Sequence, residues 1–125
     1  MSIERNPSSL GSFSESVLVT GPGRWIHVAG MVGLDEDGKV EGDVAAQTAR
    51  TFDLIEGILA RSGAGLADVV KMSVFLTDLG EYGAFSAVRA ERFGETLPAS
   101  AAVEVSGLLL GAAVEIEVVA FLDEG

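Results

Sequence analysis

Two carboxylates stand in a run that is otherwise apolar. Val114, Ile116 and Val118 alternate with Glu115 and Glu117, the period of two that a strand imposes. An unpaired charge in apolar surroundings is costly, so the pair needs an explanation. A strand with one wet face accommodates both glutamates. A pocket lined by one of them does so as well, and desolvation there favours the protonated form and suits a carboxylate to acid–base work near neutral pH. Arg89 is the second group of interest. It lies between Phe85 and Phe93 at four-residue spacing, on the apolar stripe of a helix. It can reach a cleft and supply a cation there. The commoner use of such an arginine packs the stem and pairs the head with an acidic group. His27, the only histidine, lies among apolar strand residues and reads as a core or interface residue rather than a base.

Composition narrows the chemistry further. The 125 residues fit one domain, 1–125, able to bury a sizeable core. An apolar content of 48% fits a globular chain. There is no cysteine, so disulfides, thiolate catalysis and zinc–thiolate sites are excluded. One histidine leaves metal binding to carboxylates, and no loop of calcium-binding spacing is present. Gly21-Pro22-Gly23 reads as a turn, not as a phosphate cradle. We therefore expect no metal and no cofactor. The net charge of −11 repels phosphate backbones and argues against nucleic acid as a partner. The N-terminal segment lacks the apolar core of a signal peptide. No apolar run approaches the roughly 20 residues of a membrane span. A cytoplasmic protein without a membrane partner is expected.

The elements that position these groups follow from period and punctuation. Met1–Gly11 is polar and reads as loosely held. Ser16–Val19 and Trp25–Ala29 flank Thr20-Gly21-Pro22-Gly23-Arg24, which predicts a hairpin. Met31–Leu34 continues the strand, and Asp35–Gly38 turns it. Asp43 caps a helix over 44–61, with Val44, Phe52, Ile55, Ile58 and Leu59 on its apolar face and Gly63 and Gly65 after it. Val69–Leu76 is a strand. Thr77 or Asp78 caps a second helix over 81–93, ended by Gly94, with Tyr82, Phe85 and Phe93 on its stripe. Leu97–Phe121 reads as two strands joined as a hairpin through a loop bounded by Ser106, Gly107 and Gly111. Helices between strands imply crossovers and a partly parallel sheet. Both helices then cover one face, and the other must be buried by another subunit.

Several of these segments resemble the signature of the Rid family, also called YjgF/YER057c/UK114 and described as endoribonuclease L-PSP. The family reads Pro-Ala-Arg, a Val-Glu-Val-like strand, a short loop, then Val-Glu-Ile-Glu and Ala. Pro98, Ala99, Val103, Glu104, Val105, Leu108, Val114, Glu115, Ile116, Glu117 and Ala120 match it. Gly63-Ala64 with Leu66–Lys71, and Val74–Asp78, resemble two further segments. The resemblance implies an α+β, chorismate-mutase-like fold: a mixed β-sheet with two helices on one face. It implies a homotrimer with a β-barrel core and small-molecule clefts between subunits.

It also implies a site, with departures. In deaminase members an arginine grips the carboxylate of an imine or enamine derived from an amino acid, as its planar fork allows. Ser100 stands in that place and offers one hydroxyl and no charge. Glu115 matches the glutamate that handles the hydrolytic water. Phe13 replaces a tyrosine. Ala29-Gly30-Met31 replaces Ser-Gly-Gln, so that Gly30 keeps a backbone contact. Ala102 replaces a frequent cysteine. Ser86 and Arg89 replace an asparagine and a tyrosine on the second helix. The expected function is hydrolysis of an imine, an enamine or a related small carbonyl compound, with Glu115 positioning water and with a substrate lacking the free carboxylate that arginine serves. The alternative is a trimer that binds a small apolar or amphipathic ligand without turnover. Ribonuclease activity, attached to some homologues, is disfavoured by the acidity and by the lack of a histidine pair.

Overall fold

The Asp43 carboxylate accepts the Ala46 amide at 2.9 Å, the bond by which a short acidic side chain starts a helix. In the computed structural model, which describes residues 2–124, the helix it starts is α1, Val44–Ala60. Val44, Phe52, Ile55 and Leu59 are buried along it. The chain leaves through Gly63 at φ +80°, a left-handed position where glycine is least strained. The next strand spans Val69–Leu76, the range its apolar run predicts. The Asp78 side chain then caps a one-turn helix, Leu79–Glu81. The second helix of the sequence, α2, follows as Tyr82–Phe93, one residue later than expected.

In chain order the strands are β1 (Ile3–Pro7), β2 (Ser14–Val19), β3 (Gly23–Met31), β4 (Val69–Leu76), β5 (Ala99–Glu104) and β6 (Val114–Asp123). They form one mixed sheet in the order β1-β2-β5-β4-β6-β3. β4 is parallel to β5, with α2 as the crossover, and antiparallel to β6. Both helices lie on one face. Phe52 of α1 meets Phe93 of α2 edge-on at 5.2 Å, and Met72, Val74, Ile116 and Val118 rise to them from the sheet. No helix of the described residues is long and apolar enough to cross a membrane.

Four local expectations are corrected. β5 and β6 are not a hairpin, because β4 stands between them. β4 is buried and needs a partner along both edges. The segment 105–113 is long enough to carry the chain past it, a distance of roughly 10 Å. β2 and β3 are not a hairpin either, since β1 takes an edge of β2 and β6 takes an edge of β3. The N-terminal segment is therefore not loose from Ile3 onward, while Met1 lies outside the described residues. Its anchor is Arg5, whose guanidinium donates to the carbonyls of Val69 and Leu97, both at 2.9 Å, and of Ala67 at 2.8 Å. Partial burial lowers the Arg5 pKa from its ordinary value, and nearby Asp68 opposes the shift. Finally, β3 stops at Met31 rather than running to Leu34. Gly33 lies so close to α1 that a Cβ there would stand 2.8 Å from the Gln47 carbonyl oxygen.

The face of the sheet away from the helices carries Lys71, Ser73 and Phe75, paired in register with Val119, Glu117 and Glu115. Trp25 and Val103 remain 53% and 48% exposed on it.

Candidate functional site

Strand alternation sends Glu115 to that uncovered face, opposite Phe75, with its side chain partly buried. The carboxylate lies against Gly30. A Cβ built on Gly30 would stand 2.5 Å from Glu115 Oε2, so only glycine leaves the carboxylate its place. The β3–β6 register shifts between Val28 and Met31, the kind of bulge that re-aims side chains. Met31 then pairs with Ile116 and packs on the helix-side core. Glu115 and Gly30 thus form one group, and Met31 is not part of it. A shallow hollow of about 170 Å³ lies on the same face, bordered by His27, Lys71, Ser73 and Glu117.

A second group forms under α2. Arg89 is the largest fully buried side chain, 1% exposed. Its Nε donates to Ser12 Oγ at 3.2 Å and its Nη1 to Ser100 Oγ at 3.1 Å. Its Nη2 donates to Tyr82 Oη at 2.8 Å and to Ser86 Oγ at 3.4 Å. The guanidinium carbon lies 5.4 Å from the Phe13 ring centre, 5.5 Å from Tyr82 and 4.9 Å from Phe85. Three aromatic faces near one desolvated cation are each worth about 0.5–2 kcal/mol. The acidic partner expected for Arg89 is absent, and no carboxylate lies within ion-pair distance among the described residues. Hydroxyls and rings occupy its surroundings instead.

This group unites Phe13, Ser86, Arg89 and Ser100, four of the residues singled out in the sequence. Ala102 stands beside it on β5, opposite Val74, and packs on the core. Two members escape a reading of the sequence for function. Ser12 lies 77 residues from Arg89. Tyr82 reads as an ordinary member of the apolar stripe, although its seven-residue spacing places it on the Arg89 side of α2. Ser100 pairs with Met72, whose side chain faces the helices, whereas Glu115 faces away. Within one chain the sheet therefore separates the cation from the carboxylate.

The endoribonuclease L-PSP family model matches residues 3–122. A RutC family protein of Pyrococcus abyssi is 41% identical over 120 residues, covering 94% of this chain and 92% of its own. The 2-iminobutanoate/2-iminopropanoate deaminase of Rattus norvegicus is 33% identical over 122 residues, covering 96% and 87%. Among solved structures, RidA of an Antarctic Psychrobacter superposes with a TM-score of 0.77 at 31% identity, over 98% of this chain and 99% of that one. The Rid-family protein YyfB of Yersinia pestis superposes with a TM-score of 0.83 at 28% identity, over 98% and 100%.

Proposed function

The chain belongs to the Rid (endoribonuclease L-PSP) family, and on that footing we propose that it hydrolyses small imines or enamines. The site is a cleft between subunits of a homotrimer. Glu115 takes a proton from water as the oxygen adds to the C=N carbon and passes it to the nitrogen; it then carries the proton of the new hydroxyl to the same nitrogen as the C–N bond breaks, so that ammonia leaves and the C=O bond forms. The observation that carries this reading is the Glu115 carboxylate, half-buried against Gly30 on a face that no helix covers. The name of the rat relative supports the reaction class. The separation of Glu115 from Arg89 by the sheet supports a cleft completed by a second subunit. So does the exposure of Trp25 and Val103.

The ground for a substrate without a carboxylate was the missing charge at Ser100. Arg89, which donates to that serine at 3.1 Å, is a buried cation beside it and supports instead a substrate that keeps its carboxylate. One observation favours the alternative, a trimer that binds without turnover: no hydrogen bond or ion pair engages the Glu115 side chain among the described residues. Two measurements test the proposal. Imines generated in situ by an amino-acid oxidase should release ammonia faster with the protein than without it, and no acceleration on any imine would leave only the binding reading. Light scattering in dilute solution should give three times the 12.9 kDa chain mass. A stable monomer would reject the cleft.

A further inference from the structure

The sheet face that no helix covers is polar at its centre. There β3, β6 and β4 run side by side. Lys71 pairs in register with Val119, and Glu117 with Ser73, so Lys71 and Glu117 are diagonal neighbours. His27 ends the row on the β3 side, opposite Val119. These polar side chains border the hollow of about 170 Å³, which leaves room for a side chain reaching in from outside. Lys71, Glu117 and His27 are exposed in the single chain. No hydrogen bond or ion pair engages the side chain of any of them among the described residues.

Three basic side chains stand on strands. Arg5 donates to carbonyls and Arg24 pairs with Glu124. Lys71 is the one without a partner among the described residues. Water answers Lys71 and Glu117 while the face is open. A cover removes that water, and an ion buried without a partner is costly. An apolar cover strands both charges. A cationic or an anionic cover answers one and repels the other. A second copy of this chain presents one ammonium and one carboxylate on the same face and answers both. Its Trp25 and Val103 add apolar surface around them.

We infer that Lys71 of one copy pairs with Glu117 of the next, and that this contact fixes the register in which copies close over the sheet. Apolar surface alone accepts many docking angles. A shifted register sets Lys71 or Glu117 against apolar surface or against its like, and either is costly. Net charge works against assembly, since each copy carries −11 and two copies repel at long range. The inference rests on the reading that a second copy covers this face, and not on hydrolysis.

Lys71→Glu and Glu117→Lys are the probes, read by sedimentation equilibrium and native mass spectrometry. Each alone should raise the protein concentration needed for assembly by roughly a hundredfold or more, the scale of like charges juxtaposed across an interface. Circular dichroism should show the fold kept, because both side chains are exposed in the single chain. Mixing the two variants should bring assembly back in particles that contain both chains, since contacts between unlike chains are then complementary. The chain with both reversals should assemble as the wild type does. If a reversal fails to fold, Lys71→Gln and Glu117→Gln take its place. Each should weaken assembly roughly tenfold, and the two together less than either, because no lone charge is then buried. Single variants that assemble like the wild type would overturn the pairing and leave the intersubunit cleft standing. Mixing without rescue would overturn it too, by placing the pair within one chain. A wild-type protein that stays monomeric at every concentration would overturn the pairing and the cleft together.

Discussion

Glu115→Gln is expected to lower turnover by about 10²–10⁴-fold, the usual contribution of a positioned general acid–base group. Glutamine keeps the size and much of the hydrogen bonding but cannot exchange a proton. The loss should fall on kcat, because the carboxylate acts on the water and not on the ligand's binding groups. The fold should be unaffected, since Glu115 points away from the helix-side core that holds the chain together, and assembly should be unaffected because glutamine matches glutamate in size. Circular dichroism and light scattering check that half of the expectation, and steady-state ammonia release checks the other. Turnover in the variant equal to that of the wild type would remove Glu115 from the mechanism.

Gly30→Ala should approach the same loss by a different route. The added Cβ would stand 2.5 Å from Glu115 Oε2 and 3.0 Å from its Cδ, inside normal contact. The atoms it meets are the end of a flexible side chain, so the carboxylate swings aside and the backbone stays. Gly30 is not among the glycines with positive φ, so alanine adds no backbone strain there. Melting temperature should therefore hardly move. Turnover should fall roughly tenfold to a hundredfold, because a displacement of about 1 Å at a reacting group can cost that much. Combined with Glu115→Gln, the alanine should add nothing, since both changes remove one and the same function. Undiminished turnover in Gly30→Ala would show that the place of the carboxylate does not matter.

How much of this was legible beforehand differs by element. Helices announce themselves locally. Asp43, the stripe from Val44 to Leu59 and the glycines after it bounded α1 closely, and Val69–Leu76 matched β4 residue for residue. Strand neighbours do not announce themselves. A period of two says which face a residue takes and nothing about which strand lies beside it, so both expected hairpins went to the nearest apolar run in sequence. Ile3–Pro7 shows no alternation, and only Arg5, bonded to carbonyls more than 60 residues away, explains why it is a strand. The site was legible in its types and not in its grouping. Arg89 and Ser100 were both singled out, one as a possible cation and the other as a lost one. That they touch depends on the crossover that lays α2 over β5.

The pairing of β3 with β6 bears on how the chain is made. About 80 residues separate the end of β3, an edge strand, from the start of β6, its one strand partner among the described residues. At a ribosome adding about 5–20 residues per second, β3 waits several seconds with both edges unsatisfied. During that time its Trp25, Ile26 and Val28 have no sheet to join. β6 then completes two ladders at once, to β3 and to β4. Such non-local closure is slow compared with helix formation. Growth temperature and chaperone supply should therefore govern the yield of native protein during expression more than the stability of the finished fold does.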